Sequence, residues 1–173
     1  DGVMLLTPRV FEDDRGYFFE SYKARSFESA VGQSVRFVQD NESYSGRNVL
    51  RGLHYQIINP QGKLVRVVQG EIFDFAFYVR RGSPTFGKWV GVTLSSANKQ
   101  QLWVPVGFAH GFLVKSEAAI VAYKATDFYT PEGDRSILWN DSNIGIDWPL
   151  AGEPEVSAKD AAAKAFADAE VFE

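Results

Sequence analysis

The middle of the chain alternates between apolar and polar residues with a period of two, a pattern typical of β-strands. In segment 72–80, one face runs from Phe73 to Val79 and is entirely apolar, while the other carries Asp74 and Tyr78. A second face that is only sparsely polar is expected where a barrel wall faces a cavity. The same alternation predicts further strands at 35–39, 50–56, 63–69, 89–94, 101–104, 111–114 and 119–125.

Turn-forming clusters of Gly, Pro, Asn and Ser separate these segments, and no helical pattern lies between them. Eight or so short strands at this spacing predict an all-β sandwich or barrel in a single domain, residues 1–173. Helices are predicted only near the ends. A short one is expected at 26–31, and Ser157 and Asp160 form a capping box ahead of an Ala-rich stretch, which predicts a helix at about 157–169.

Composition narrows the possible functions. The 173 residues carry a net charge of −4, no Cys and 2 His, which excludes a disulfide framework, a Cys-ligated metal and a thiol nucleophile. An acidic balance argues against nucleic-acid binding. The longest apolar run, 118–123, is far shorter than a membrane span, and we see no secretory signal, so a cytoplasmic location is expected.

The two histidines are the first candidates for proton transfer near neutral pH. His54 shares a strand face with Gln56, and His110 lies where a turn re-enters a strand. Each His taken singly is more often structural than catalytic. Nothing near either completes a metal-ligand set, so no metal is expected. Four cations (Arg15, Arg51, Lys63 and Arg66) lie in or beside strand patterns, where ordinary surface charge is the alternative interpretation.

Eight motifs, in order along the chain, resemble the dTDP-4-dehydrorhamnose 3,5-epimerase family. They include RGLHYQ at 51–56 and GFAHGF at 107–112, and the others lie at 7–21, 37–41, 61–70, 83–87, 101–105 and 144–149. The resemblance runs from about Val3 to Phe172. It implies a cupin-like jelly roll, a homodimer, no metal or organic cofactor, and the substrate dTDP-4-keto-6-deoxyglucose.

The resemblance also implies catalytic roles. His54 is expected to remove the protons on C3 and C5, which the C4 ketone makes acidic, and Asp147 to orient the imidazole. Lys63 is expected to stabilise the enolate oxygen, and Tyr123 to return a proton from the opposite face.

Binding roles carry over in the same way. Arg15 and Arg51 are expected to contact the diphosphate, with His110 beside Lys63. The nucleoside is expected to meet Gln39, Asn41, Glu20 and, by stacking, Trp139. In the family the N-terminal strand crosses to the partner subunit, so Arg15, Phe18 and Glu20 are expected to serve the neighbouring site.

Three positions depart from the family pattern: Glu42 stands in place of His, Tyr44 in place of a common Arg, and Tyr78 in place of a carboxylate. Losing that carboxylate is expected to leave Lys63 and His110 without a partner. Tyr78 is therefore a candidate specificity residue.

Four functions stay open on the sequence. The first is epimerisation at both C3 and C5, and the second is epimerisation at one centre of a related dTDP-sugar. The third is 3,4-ketoisomerisation, and the fourth is non-catalytic binding of a nucleotide sugar. Joint retention of a base, an acid and a cation argues against pure binding.

Overall fold

The computed structural model describes residues 2–173; Asp1, the first residue of the predicted domain, lies outside them. Its strands in chain order are β1 (Met4–Leu6), β2 (Val10–Asp13), β3 (Gly16–Phe19), β4 (Gln39–Gly46), β5 (Leu50–Gln56), β6 (Lys63–Gln69), β7 (Glu71–Tyr78), β8 (Trp89–Ser95), β9 (Gln101–Val104), β10 (Phe108–Val114), β11 (Ala118–Ala125) and β12 (Asp134–Ser136). The helices are α1 (Ala24–Val31) and α2 (Ala158–Ala161), with single 3-10 turns at Pro131–Gly133 and Phe166–Asp168.

Ten of these strands form two five-stranded antiparallel sheets. The first sheet has the order β1-β9-β6-β11-β4 and the second the order β12-β5-β10-β7-β8, while β2 and β3 pair only with each other. The chain crosses between the sheets repeatedly, and side chains of both inner faces pack into one core. This is a jelly roll, so the predicted all-β class is confirmed.

The two faces of the second sheet are packed differently. Ile72 and Ala76 point into the space between the sheets, whereas Phe75 and Phe77 lie on the outer face. The predicted alternation in segment 72–80 is therefore confirmed. The C-terminal segment covers the outer face, since Ile137, Ile144, Trp148 and Phe166 all pack against it.

The predicted helix at 157–169 is wrong beyond its first turn. Ser157 does cap α2, but the helix ends at Ala161. The following residues extend instead, because the Lys164 carbonyl accepts a hydrogen bond from Leu138 N–H and the Phe166 ring packs against Phe77 at 4.7 Å. Tertiary contacts outweigh the helix propensity of the Ala run.

The predicted strand at 35–39 is also wrong. Val35 and Phe37 lie outside any strand and instead pack with Phe27 of α1 against the outer face of the first sheet, which accounts for their apolar side chains. The strand begins at Gln39 and continues through the polar sequence of β4, which carries no hydrophobic alternation. The alternation of apolar and polar residues did not predict the short strands β1, β2, β3 and β12 either.

No helix within residues 2–173 is long and apolar enough to cross a membrane.

Candidate active site

A bulge in β5 determines which side chains enter the space between the sheets. His54 pairs with His110, and Arg51 pairs with Phe112. The three-residue interval from Arg51 to His54 on β5 therefore lies opposite a two-residue interval on β10. The extra residue is Gly52, whose φ of 130° suits glycine. A Cβ there would lie 2.7 Å from the Gly111 Cα. Because of the bulge, Arg51 and His54 both face the interior, although simple alternation would separate them.

The carboxylate of Asp160, on α2, holds His54 in place. Its Oδ1 lies 2.6 Å from His54 Nε2, and its Oδ2 accepts a 3.1 Å hydrogen bond from Gly52 N–H. Asp160 is 2% exposed. Burial alone would raise the pKa of Asp160, but the hydrogen bond from His54, its charge and the Gly52 N–H together lower it. The carboxylate therefore stays ionised and fixes the imidazole orientation, and Nδ1 has no hydrogen-bond partner among residues 2–173.

This pairing corrects the predicted role of Asp147. Asp147 is exposed in the loop before Trp148, and the partner of His54 is Asp160. The sequence signal at Asp160 was present but was interpreted as helix capping. Ser157 Oγ accepts from the Asp160 backbone N–H as a cap does, while the Asp160 side chain reaches β5 instead of the cap residue.

A second buried His–Asp pair lies beside the first. His110 Nε2 is 2.7 Å from Asp74 Oδ1, and these side chains are 8% and 0% exposed. The prediction that His110 lacks a carboxylate partner is therefore wrong: Asp74 supplies it, on the same face of β7 as Tyr78. The other oxygen, Asp74 Oδ2, is buried without a partner among the described residues.

The three departures from the family pattern lie in two places. Tyr78 is half-buried at the edge of the interior core, with its ring 4.5 Å from Phe108. Glu42 and Tyr44 are exposed on the outer face of β4, whose inner face carries Asn41, Ser43 and Ser45. Only Tyr78 is therefore positioned to alter the interior, and its effect on specificity stays a prediction.

Lys63 and Tyr123 reach the interior from the first sheet, opposite the two histidines. Their strands, β6 and β11, belong to the first sheet, whereas β5, which carries Arg51 and His54, belongs to the second. Lys63 Nζ lies 5.8 Å from the Tyr123 ring centroid. Burial lowers the pKa of Lys63 to about 8, and the charges of Asp134 and Asp74 limit the decrease. Burial raises the pKa of Tyr123, which keeps its hydroxyl protonated.

Arg51 of the second sheet forms a hydrogen bond to the first sheet. Its Nε donates a 2.9 Å hydrogen bond to Ser45 Oγ on β4, and its charge acts on the Tyr123 hydroxyl. On the inner face of β4, Gln39 Nε2 donates to Asn41 Oδ1 at 3.0 Å. The structure thus brings Arg51, Gln39 and Asn41 to the interior that holds His54 and Tyr123.

A polar group that the sequence did not predict lies at the open edge of this interior. Asp134, opposite Gln56 on β12, forms an ion pair with Lys159 of α2. The Tyr129 hydroxyl donates to Asp134 Oδ2 at 3.1 Å, and the Tyr129 N–H donates to Gln39 Oε1 at 3.0 Å. Tyr129 is 55% exposed, so its ring is free to contact a ligand. Asp134 and Lys159 gave no sequence signal beyond ordinary surface charge.

Trp139, predicted to stack on the base, lies elsewhere. It packs with Ile137 and Trp148 behind the second sheet, and its carbonyl accepts a hydrogen bond from Trp148 Nε1. The prediction is wrong because Trp139 belongs to the layer that covers the outer face of that sheet. Tyr129, by contrast, presents an exposed aromatic ring at the open edge of the interior.

Arg15, Phe18 and Glu20 lie on or beside the β2–β3 hairpin. Arg15 pairs with Asp13, and Glu20 pairs with Lys23, all within the N-terminal segment. These two ion pairs therefore do not involve residues of the interior.

Residues 2–173 contain no group of three or more His, Cys, Asp or Glu side chains arranged to hold a metal ion.

The position of Lys63 generates a prediction that needs no substrate. The Asp134→Asn substitution should lower the pKa of Lys63 from about 8 to a smaller value, because it removes a negative charge that favours the ammonium form. NMR titration of the Lys63 Nζ in labelled protein measures this. Asp40→Asn is the control, since Asp40 pairs with Lys124 on the outer face. An unchanged or raised value in Asp134→Asn would contradict the proposed coupling.

Comparison with known proteins identifies the family. The family model described as dTDP-4-dehydrorhamnose 3,5-epimerase matches residues 1–168. The enzyme of that name from Pseudomonas aeruginosa is 62% identical over 170 residues, 98% of this chain and 94% of that protein.

Two solved structures are similar over most of their length. The dTDP-6-deoxy-D-glucose-3,5-epimerase of Legionella pneumophila, in complex with dTDP-4-keto-L-rhamnose, superposes with a TM-score of 0.95 at 53% identity, covering 96% of this chain and 89% of that one. A 3'-monoepimerase from Streptomyces bikiniensis, in complex with dTDP-quinovose, gives 0.91 at 33% identity, with 96% and 85% covered. The match of one family model to residues 1–168 and the relative at 62% identity show that this chain belongs to the dTDP-4-dehydrorhamnose 3,5-epimerase family of isomerases.

Proposed function

We propose that the protein epimerises dTDP-4-keto-6-deoxyglucose at both C3 and C5, giving dTDP-4-keto-L-rhamnose. The observation that carries this proposal is the arrangement of an Asp160-oriented His54 on one wall of the jelly roll and a protonated Tyr123 on the other. Inverting a carbon centre requires a proton to leave one face and another to arrive at the opposite face. Two walls that carry a base and an acid fit that requirement.

The reaction follows from these positions. His54 takes the proton from a carbon next to the C4 ketone through its free ring nitrogen, and the electron pair of the broken C–H bond becomes the enolate. Asp160 stabilises the imidazolium that forms. The enolate then collapses, its carbon takes the Tyr123 hydroxyl proton on the other face, and the ketone re-forms. Solvent restores both groups, so no net oxidation or reduction occurs.

Lys63 supports the intermediate. Its ammonium lies on the Tyr123 wall, and the negative charge on the substrate oxygen exists only while the enolate does. A cation that meets this charge stabilises the transition state more than the ground state, which accelerates the step. A protonated Lys63 is required, and Asp134 and Asp74 favour that form.

Binding groups surround the same interior. Arg51 and Lys159 are the cations proposed to meet the diphosphate, since Arg51 reaches from β5 to Ser45 on β4 and Lys159 pairs with Asp134 at the open edge of the interior. Gln39 and Asn41 are proposed to contact the nucleoside, with Tyr129 stacking on the base in place of Trp139. The 62% identity to a 3,5-epimerase, against 33% to a monoepimerase, favours reaction at both centres.

We propose that the protein acts as a homodimer in which the hairpin serves the neighbouring site. An isolated two-stranded hairpin is marginally stable in water, yet β2–β3 exposes Phe11, Tyr17 and Phe18 by 48%, 58% and 67%. Burial of these rings on a second copy would stabilise the hairpin and bring Arg15, Phe18 and Glu20 to the site of that second copy.

A cytoplasmic location also stays a prediction, which fractionation of expressing cells would check.

The function is tested by incubating the protein with dTDP-4-keto-6-deoxyglucose in D₂O and following deuterium at C3 and C5 by NMR. We expect incorporation at both carbons together with the L-rhamno product. Incorporation at one carbon would replace the proposal with single-centre epimerisation. Binding of dTDP without exchange would leave a nucleotide-sugar binder, and a 3-keto product would identify a ketoisomerase.

The His54 orientation predicts opposite outcomes for two carboxylates. Asp160→Asn should lower kcat roughly 10²-fold or more, because the amide no longer favours the imidazolium. Asp147→Asn should retain wild-type kcat, since Asp147 is exposed and the carboxylate that pairs with His54 is that of Asp160. Steady-state kinetics with circular dichroism as a folding check compares them. Equal losses in both variants, or full activity in Asp160→Asn, would refute the assignment.

Hairpin exchange predicts complementation between inactive chains. Arg15→Ala and His54→Ala each damage the sites of their own homodimers, but a mixed dimer should regain one intact site. Co-refolding the two differently tagged chains and purifying the mixed dimer should recover activity at low substrate concentration. A mixed dimer of His54→Ala and Asp160→Asn is the control, because both residues serve one chain's site. Recovery in neither mixture would exclude exchange.

A further inference from the structure

Gln56 connects two loops beside the site and has no role in the chemistry above. It lies two residues after His54 on β5 and is 4% exposed. Its Nε2 donates to the carbonyls of Asn59 at 2.8 Å and Phe128 at 3.1 Å, and its Oε1 accepts from Thr130 N–H at 2.8 Å. The amide thus uses both its donor and acceptor groups, which fixes its orientation.

Gln56 forms hydrogen bonds with the residues on either side of Tyr129 in the sequence. One side chain holds the carbonyl of the residue before Tyr129 and the N–H of the residue after it. The Tyr129 backbone N–H is then directed to Gln39, and its hydroxyl to Asp134. The exposed ring therefore depends on Gln56 for the course of its backbone, although no hydrogen bond joins the two side chains.

Other contacts bring the same loops together. Thr130 Oγ1 also donates to the Phe128 carbonyl at 3.4 Å, so one local hydrogen bond spans Tyr129 as well. Gln56 differs in reaching backbone atoms of both neighbours of Tyr129 from the other loop. Asn59 Nδ2 donates to Thr130 Oγ1 at 2.8 Å, on the exposed side. Gln61 Nε2 donates to the Asp127 carbonyl at 2.8 Å, which lies two residues before Tyr129. Gln61 is thus a matched residue of the same type, linking the same pair of loops with a single hydrogen bond.

We propose that Gln56 is a positioning residue that holds the Tyr129 ring in the orientation that binds the nucleoside. The inference rests on the proposed function, since it takes Tyr129 as a nucleoside contact. Gln56 acts through the loop, not on the reacting sugar. Removing it should therefore weaken nucleotide binding far more than it slows the chemical steps.

The test compares Gln56→Met, Gln61→Met and Tyr129→Ala. Gln56→Met keeps the side-chain length but removes every hydrogen bond. We expect its KM, and its Kd for dTDP by calorimetry, to rise about 10-fold, as for loss of one stacked base contact, with kcat within about 3-fold of wild type. Gln61→Met should stay near wild type in all three. Gln56→Glu, which keeps the acceptor for Thr130 N–H, is the second variant if Gln56→Met fails to fold.

The double variant Gln56→Met/Tyr129→Ala separates positioning from general loosening. If Gln56 acts through Tyr129, the double variant should bind dTDP no more weakly than Tyr129→Ala alone. Additive losses, equal losses in Gln56→Met and Gln61→Met, or a decrease in kcat with unchanged Kd would each overturn the proposal. Wild-type protein that fails to bind dTDP would instead overturn the proposed function.

Discussion

The contact between Asp160 and β5 is the constraint on which the site depends. One carboxylate holds the His54 ring with one oxygen and the Gly52 N–H with the other. It comes from the C-terminal segment, more than a hundred residues away in sequence, and reaches a bulge that only glycine accommodates. Hydrogen bonds to a buried charged group contribute about 1.5–3 kcal/mol each, so this contact also fastens the segment to the second sheet. The same interaction therefore orients the base and attaches the C-terminal segment to the second sheet.

A jelly roll suits this chemistry because each strand presents two independent faces. On β7, the outward phenylalanines secure the layer formed by the C-terminal segment, while Asp74 and Tyr78 on the other face meet the interior. The apolar outer face supplies the burial that stabilises the sheet. That leaves the inner face able to carry polar groups, including Asp74 Oδ2, which has no hydrogen-bond partner within the described part of the chain. Buried polar atoms are costly, and they are tolerated where the surrounding packing is strong.

Strand alternation predicted most of the sheets and the two faces of segment 72–80, because those strands bury one apolar face. It failed at β4, whose inner face contacts the site and whose outer face is exposed, so neither side is hydrophobic. It failed again at 157–169, where helix propensity gave way to long-range contacts. The motifs identified His54, Lys63 and Tyr123, but not the pairing of His54 with Asp160. Which distant carboxylate meets a given His depends on how the chain folds back, and local sequence does not encode that distance.

The electrostatics of the two walls differ in a way that fits the roles proposed for them. On the second sheet, the His54 and His110 rings each lie against a buried carboxylate, that of Asp160 or Asp74. On the first sheet, burial lowers the pKa of Lys63 to about 8 and raises that of Tyr123. This difference fits the proposal that a proton is accepted on one wall and donated from the other. Lys63, close to its own titration near neutral pH, carries its charge because Asp134 and Asp74 are near. The carboxylates at the site therefore act through the groups they hold, and none of them needs to touch the sugar.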